Sequence, residues 1–169
     1  MVRAARAGKE VTVVVEIRAR FDEEANIRLA GRLQDAGANV VYGVVGHKTH
    51  AKAVLIVRRE GRNLRRYVHV GTGNYHPGTA QAYTDIGLMS ADRELAEDVH
   101  HMFMQLTGLG RPPAMNKLLL APVELYPSLL KMIEEEAEAA ARGEKAQIVA
   151  KMNSLADPGM IQALYKASQ

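Results

Sequence analysis

The chain has 169 residues, 47% of them hydrophobic and 24% charged, which is typical of a globular protein with one domain or with one domain and part of another. The absence of cysteine excludes disulfide bonds and thiolate metal sites, and no apolar run is long enough to span a membrane. With 22 Lys and Arg against 19 Asp and Glu, a polyanionic partner is permitted but not required.

The first third of the chain predicts a strand, a helix and a second strand. The β-branched run over residues 11–17 indicates a buried strand. Asp22 can cap a helix from Glu23 to Asp35, and Gly37 lies just beyond its end. Residues 39–44 form the next strand. This order favours a parallel crossover.

Two further strands, over residues 53–58 and 64–70, flank a turn-forming sequence around Gly61. Antiparallel pairing about this turn sets the start of the first strand beside the end of the second. His50 and Lys52 should therefore lie next to the segment that follows residue 70. Its members are Gly71, Thr72, Gly73 and Asn74.

These two segments together indicate chemistry at phosphorus. A neutral His50 is a nucleophile, and an ammonium group two residues later can hold an anionic substrate against it. Glycines let backbone amides approach a ligand closely, and the amide of Asn74 can donate to a phosphate oxygen. Alone, each segment is more simply a polar strand start or a turn. Their predicted proximity favours a site.

The remaining elements follow in order. A short helix from His76 towards Tyr83 precedes a strand over residues 84–89 and a helix from Arg93 to Thr107, which Asp92 can cap. Residues 108–113 have the composition of a linker. Beyond it, the pattern predicts three more elements. They are a long helix from Pro122 or Glu124 to Arg142, a strand over residues 146–152, and a last helix from Asp157 to Ser168.

Five arginines lie within nine positions of the predicted hairpin: Arg58, Arg59, Arg62, Arg65 and Arg66. Such a cluster is typical either of a solvated hairpin or of an anion-binding surface, and the sequence leaves both open. With no Trp and two Phe, the chain lacks the aromatic platforms on which single-stranded nucleic acids stack. Nucleic acid is therefore not an expected partner.

Several segments carry a more specific resemblance: Val13-Val14-Val15-Glu16, residues 19–26, Lys48-Thr49-His50-Ala51-Lys52, residues 69–75, Tyr83-Thr84-Asp85, and residues 120–122 and 148–155. They resemble bacterial polyphosphate kinase of the long-chain-synthesising type. The resemblance implies an α/β fold in which a phospholipase D-like mixed sheet is flanked by helices. It places the later part of a first catalytic domain in residues 1–110, a linker in 111–117, and the truncated start of a second α/β domain in 118–169.

The resemblance also implies roles for individual residues. His50 would attack the terminal phosphate of ATP or polyphosphate and become a phosphohistidine, with Lys52 beside it. Arg20 matches the family's magnesium- and phosphate-associated arginine, and a guanidinium would reach Mg²⁺ only indirectly because it has no lone pair. Tyr83 matches a tyrosine of the nucleotide site. The remaining phosphate-site residues are Gly71, Thr72, Gly73 and Asn74.

The implied partners are ATP or ADP and polyphosphate, with Mg²⁺ as cofactor and a homo-oligomer for the full-length enzyme. No stable membrane insertion is expected. The expected location is the cytoplasm. The sequence leaves open whether the full-length enzyme associates with a membrane surface. Other residues of the family's site fall outside this chain, so the isolated chain is expected to turn over poorly.

Two other functions remain open. A phospholipase D-like phosphodiesterase or nuclease would use His50 on a diester, although Val57 stands where that family has an aspartate. A non-catalytic fragment that binds nucleotide or polyphosphate would keep its ligand affinity when His50 is replaced by alanine.

Overall fold

The computed structural model describes residues 1–16, 23–44, 46–108, 110 and 114–169. The chain divides into two compact units, Met1–Leu118 and Leu119–Gln169. Arg20, with its predicted phosphate contact, and Asp22, with its predicted helix cap, lie outside the described residues, as does Ile17 at the end of the first predicted strand.

The first four elements comprise a short helix followed by the predicted strand–helix–strand crossover. They are α1 (Val2–Arg6), β1 (Thr12–Val15), α2 (Glu23–Asp35) and β2 (Asn39–Tyr42). The strands β1 and β2 pair in parallel, with Thr12 opposite Asn39. Their connection contains α2, which contacts β2 and buries Ala30 and Leu33. Gly37 closes the helix at a φ of +88°, a conformation that glycine adopts without steric cost.

The next strands are β3 (Ala53–Glu60), β4 (Asn63–Gly71) and β5 (Gly87–Ser90), which form an antiparallel sheet in the order β3-β4-β5. Ala53 lies opposite Val70, and Gly61 takes a φ of +60° in the turn. The predicted hairpin is confirmed. The strand β5 begins three residues later than the sequence pattern predicts.

The strands of the described residues lie in two separate sheets, one parallel and one antiparallel. The expectation of a single mixed sheet is therefore wrong for this part of the chain, while the α/β class of the first unit holds. Periodic patterns identify segments that extend, but the pairing of strand edges depends on contacts between distant segments.

The helices α3 (Pro77–Ala82) and α4 (Arg93–Leu106) complete this part of the first unit. The predicted cap of α4 is present, because the carboxylate of Asp92 accepts a hydrogen bond from the amide of Leu95 at 2.9 Å. The helix α4 contacts β3 and β4. The buried core includes Val68 from β4 and Val99 from α4, so α4 covers one face of the antiparallel sheet.

The helix α4 also holds the segment at the end of the first unit. Asp98 is fully buried, and its carboxylate accepts hydrogen bonds of 2.6–3.0 Å from the backbone amides of Asn116, Lys117 and Leu118 and from the Asn116 side chain. Burial alone would raise the pKa of Asp98, but these hydrogen bonds outweigh it and lower the pKa. The carboxylate thus fastens this segment to α4.

The structure describes every residue of the second unit, which contains two helices and no strand: α5 (Leu125–Ala141) and α6 (Pro158–Ala167). The two helices contact each other, and Asp157 caps α6 as predicted. The strand predicted over residues 146–152 is wrong. An apolar run becomes a strand only when its backbone groups pair with another strand, and residues 146–152 have no such partner. The α/β class expected for this unit is therefore not seen.

Among the helices of the described residues, none combines the length and the apolar character that crossing a bilayer demands.

Candidate functional site

The open end of the β3–β4 hairpin brings the predicted site segments together. The carbonyl oxygen of Lys52 accepts a hydrogen bond from the amide of Gly71 at 3.0 Å. This bond extends the hairpin by one position beyond the pair of Ala53 and Val70. The segment that carries His50 therefore lies beside the segment that begins at Gly71, as antiparallel pairing predicts.

His50 and Lys52 contact each other directly. The Nζ atom of Lys52 lies 3.1 Å from Nδ1 of His50 and donates to the His50 carbonyl oxygen at 2.7 Å. Because an ammonium group only donates, a neutral His50 accepts at Nδ1 and carries its proton on Nε2. The arrangement places a ring lone pair next to a cation.

The surroundings of His50 favour its neutral imidazole. Partial burial lowers the pKa of His50, and the ammonium groups of Lys52 and Lys48 lower it further. Burial also lowers the pKa of Lys52, an effect that Asp85 opposes and Lys48 reinforces. A histidine whose pKa lies below its usual value keeps its lone pair over more of the neutral pH range, as a nucleophile requires.

Glu16, directly after β1, fastens the segment that carries His50. Its Oε2 atom accepts a hydrogen bond from the amide of Thr49 at 2.7 Å. Its carbonyl oxygen accepts one from the side chain of Asn26 on α2 at 3.0 Å. The parallel and antiparallel sheets are thus linked at the residue before His50. Glu16 is not among the predicted site residues, although an acidic residue within an otherwise β-branched run was a signal.

The loop over residues 71–74 is held against the start of β5. The amide of Thr72 donates to the carbonyl oxygen of Ile86 at 3.0 Å, and the amide of Ile86 donates to the hydroxyl oxygen of Thr72 at 3.0 Å. The Thr72 hydroxyl therefore helps to order the loop. Asn74 is exposed, and its side chain makes no hydrogen bond to any described residue.

Asp85 belongs to the same cluster, although it is not among the site residues predicted from the sequence. A Cβ atom at Gly73 would overlap its carboxylate, so the acid packs against the loop only because residue 73 has no side chain. Its Oδ1 atom also lies 3.4 Å from the Thr72 hydroxyl. The only sequence signal was its position within Tyr83-Thr84-Asp85. Its charge balances that of Lys52.

A histidine and a tyrosine hold the far side of the loop. Nδ1 of His69 lies 2.6 Å from the hydroxyl of Tyr75. The His69 ring sits close to two glycines, where added Cβ atoms would lie 3.2 Å from Cε1 at Gly71 and 2.7 Å from Nε2 at Gly87. Burial raises the pKa of Tyr75, so its phenol keeps its proton and can donate to His69. This contact was not predicted.

Tyr83 immediately follows α3 and lies two residues before Asp85. Its side chain is 55% exposed. His76 caps the helix before it, since the His76 ring accepts a hydrogen bond from the amide of Thr79 at 3.3 Å. Tyr83 therefore presents its ring to solvent. Its part in nucleotide binding stays a prediction.

Comparison with known proteins identifies the family. The model described as "Polyphosphate kinase C-terminal domain 1" matches residues 1–112, and "Polyphosphate kinase C-terminal domain 2" matches residues 118–169. The chain belongs to the polyphosphate kinase family. The resemblance seen in the sequence is thereby confirmed at the level of the family and of its C-terminal region.

Similar proteins agree over the whole chain. A polyphosphate kinase from Pseudomonas aeruginosa is 62% identical over 169 residues, which are 100% of this chain and 24% of that protein. One from Xylella fastidiosa is 59% identical, with the same shares of both chains. The crystal structure of polyphosphate kinase from Porphyromonas gingivalis matches with a TM-score of 0.83 and 37% identity, covering 99% of this chain and 29% of that one. The chain thus spans about a quarter of its curated relatives.

Proposed function

We propose that this chain carries part of the active site of an ATP:polyphosphate phosphotransferase, in which His50 transiently bears the phosphoryl group. The observation that supports this most is the contact of 3.1 Å between Lys52 Nζ and His50 Nδ1, beside the loop of residues 71–74, in a member of the polyphosphate kinase family. Relatives named polyphosphate kinase support the substrates, which are ATP or ADP and polyphosphate.

In the first step, the unprotonated ring nitrogen of His50 attacks the terminal phosphorus of ATP. A nitrogen–phosphorus bond forms, and the bond from that phosphorus to the bridging oxygen breaks. The electron pair leaves on the oxygen of ADP. The neutral state of His50, favoured by its lowered pKa, keeps the lone pair available for this attack.

In the second step, a terminal phosphate oxygen of polyphosphate attacks the phosphohistidine. The nitrogen–phosphorus bond breaks, its electron pair returns to the imidazole, and the polyphosphate gains one unit. Both anhydrides are similar in chemistry, so the same steps run in reverse from polyphosphate and ADP. For this transfer the protein has mainly to place the acceptor oxygen in line with the breaking bond and to balance the phosphate charge.

Lys52 and the loop supply that charge balance. A phosphoryl oxygen is a stronger acceptor for the Lys52 ammonium than a neutral imidazole, so Lys52 is expected to transfer its hydrogen bond to the substrate. This transfer also frees Nδ1 of His50. The backbone amides of Gly71 and Gly73 and the side chain of Asn74 are the candidate donors to the other phosphate oxygens.

Mg²⁺ is the proposed companion of the substrate at this site. Among the described residues, no group of three or more His, Asp or Glu side chains could hold a metal ion. Mg²⁺ commonly binds through substrate phosphates with one or two carboxylates, and it would neutralise phosphate charge here. Arg20 remains the predicted phosphate contact on the protein side, with its Mg²⁺ contact indirect.

The finer assignments form part of the same proposal. The fold is expected to be that of phospholipase D-like catalytic domains, with Tyr83 beside the nucleotide. The full-length enzyme is expected to be a homo-oligomer in the cytoplasm. A phosphodiesterase is not favoured, because Val57 lies within β3 opposite Arg66 where that family would place an aspartate.

Labelling with γ-labelled ATP and Mg²⁺ tests the proposal. The native chain should acquire acid-labile, base-stable label, and His50→Ala should acquire none. His100→Ala is the matched control, because desolvation and nearby positive charge also lower the pKa of His100, but His100 lies on α4. Equal labelling of native chain and His50→Ala would overturn the role of His50. An unlabelled but folded native chain would overturn the first step for this chain alone.

A further inference from the structure

The five arginines of the hairpin lie at its closed end, opposite to the end that carries His50. We call them the hairpin arginine cluster: Arg58, Arg59, Arg62, Arg65 and Arg66. The strand register sets Arg58 directly opposite Arg65, while Arg59 lies opposite Leu64 and Val57 opposite Arg66. Like charges directly opposite each other destabilise a sheet. The cluster therefore needs negative charge nearby.

Part of that charge comes from Glu60, the one acidic residue of the hairpin. Its carboxylate lies 3.7 Å from Arg58 and 3.6 Å from Arg65, and it accepts a hydrogen bond from the hydroxyl of Tyr67 at 2.5 Å. The guanidinium of Arg65 also lies 5.3 Å from the centroid of the Tyr67 ring. On this face of the hairpin end, Glu60 thus partly neutralises the charges of Arg58 and Arg65.

The other three arginines have no such compensation. Because side chains alternate between the faces of a strand, Arg59 and Arg66 lie on the same face of the hairpin as Val68. The helix α4 covers this face further along the sheet, and Arg62 lies in the turn. None of the three forms an ion pair with a described residue. We call them the distal arginines.

Close to Arg66, the helix α4 carries His100, His101 and the carboxylate of Glu97. Partial burial lowers the pKa of His100, and the charge of Arg66 lowers it further, with Glu97 acting in the opposite direction. Arg66 therefore lies near a second cationic or neutral group. Within the part of the chain that the structure describes, the three distal arginines outnumber the nearby carboxylate of Glu97, and such an excess of positive charge attracts polyanions.

The composition of this face selects among polyanions. The exposed hydrophobic residues that share it with the distal arginines are aliphatic: Val57 and Leu64. The tyrosine of the hairpin end lies on the opposite face under Arg65. Without an aromatic ring to stack a base, the surface suits a flexible chain of phosphates better than a nucleic acid.

We propose that Arg59, Arg62 and Arg66 form a second binding site for long-chain polyphosphate, remote from His50. The identity of the polyanion rests on the proposed function, whereas the charge imbalance does not. Lys52 and Arg59 are seven residues apart along an extended strand, a span of about 23 Å. A short phosphate chain bound at the open end cannot reach this distance, but a long polyphosphate can.

Binding measurements on the whole chain test the site. The probes are long-chain polyphosphate, tripolyphosphate and ATP, measured over a range of salt concentrations. For the triple variant Arg59→Gln, Arg62→Gln and Arg66→Gln, affinity for long-chain polyphosphate should fall by roughly tenfold or more, and the slope of log affinity against log salt should become shallower by about two. Affinity for tripolyphosphate and ATP should stay within twofold of native.

A matched control removes three arginines elsewhere in the same unit: Arg3→Gln, Arg6→Gln and Arg32→Gln. It should bind long-chain polyphosphate almost like the native chain. An equal loss in both triple variants, or none in either, would overturn the site and leave only a general charge effect. Displacement of polyphosphate by an equal concentration of single-stranded DNA would overturn the choice of ligand. Circular dichroism and thermal unfolding of each variant show that it is folded.

The outcome separates this site from the proposed function. His50→Ala should keep native affinity for long-chain polyphosphate while losing the label from ATP. A labelled chain whose distal-arginine variant binds normally would disprove the second site alone. An unlabelled native chain whose distal-arginine variant loses binding would disprove the proposed chemistry and support the second site.

Discussion

The carboxylate of Asp85 packs against the backbone of Gly73, in the space that a side chain at residue 73 would occupy. The same acid is the main group that opposes the burial-driven fall in the pKa of Lys52. A glycine of the phosphate loop and the cation beside His50 are therefore coupled through one aspartate. This relationship makes the geometry of the loop and the charge of the site depend on each other.

Gly73→Ala should displace either the loop or Asp85, because its methyl group would overlap the carboxylate. A shift of about 1 Å in a phosphate-binding group can cost on the order of a hundredfold in rate, so we expect the rate of labelling by ATP to fall by that order. The matched control is Gly31→Ala in α2, where a Cβ atom meets nothing within 4 Å. Native labelling in Gly73→Ala would contradict the packing described for Asp85.

Asp85→Asn should lower the pKa of Lys52 further, because it removes the negative charge that opposes burial and Lys48. The ammonium form of Lys52 would then be lost at a lower pH, and the alkaline limb of the pH–rate profile for labelling should move down. Glu97→Gln on α4 serves as the charge-matched control. An unchanged alkaline limb in Asp85→Asn would show that Asp85 does not act on Lys52.

His50 should titrate below its usual pKa of about 6.5, and Lys48→Met should move that pKa upward by removing one of the charges that lower it. Labelling depends on neutral His50, so it should be lost as pH falls through the lowered pKa, and at a higher pH in Lys48→Met. Proton NMR of the imidazole gives the pKa without relying on turnover. A titration of His50 at or above 6.5 in the native chain would contradict the description of its surroundings.

Asp98→Asn should reduce the free energy of unfolding by roughly 2–3 kcal/mol, since it replaces an ionised acceptor of several buried hydrogen bonds by an amide that also donates. The pKa of Asp98 is lower in the folded state than in the unfolded state, where it is about 3.9. The ionised carboxylate therefore stabilises the folded state at pH values above about 3.9, and this stabilisation is lost as pH falls through the folded-state pKa. The difference between native and variant should therefore shrink in acid.

Urea unfolding followed by circular dichroism measures this difference, and hydrogen exchange at Asn116, Lys117 and Leu118 locates it. Exchange at these three amides should become faster in Asp98→Asn than in the control Glu97→Gln. Equal exchange in the two variants would show that Asp98 does not hold this segment.

Local signals predicted many of the elements correctly. The β3–β4 hairpin follows from two apolar runs around Gly61, and α4 follows from a capping aspartate before an amphipathic run. These elements depend mainly on residues close together in the chain, so local sequence patterns predict them. The adjacency of Lys52 and Gly71 follows from the same hairpin.

The failures involve contacts between distant segments. Residues 146–152 have the composition of a strand but no partner in the described residues, and the described strands of the first unit form two sheets where one was expected. A strand exists through hydrogen bonds to another segment, and no local pattern specifies that partner. Composition alone could not decide either point.

By itself, the sequence determined the family, the order of most helices and strands, and the pairing that sets His50 and Lys52 beside the loop of residues 71–74. Only the tertiary structure showed that Asp85 packs against Gly73, and that Glu16 and Asp98 accept hydrogen bonds from the amides of Thr49 and of residues 116–118. Each of these carboxylates acts on backbone groups that are 12 or more residues away. Side chains carry their chemistry in the sequence, but which amide or cation they meet depends on how the chain packs.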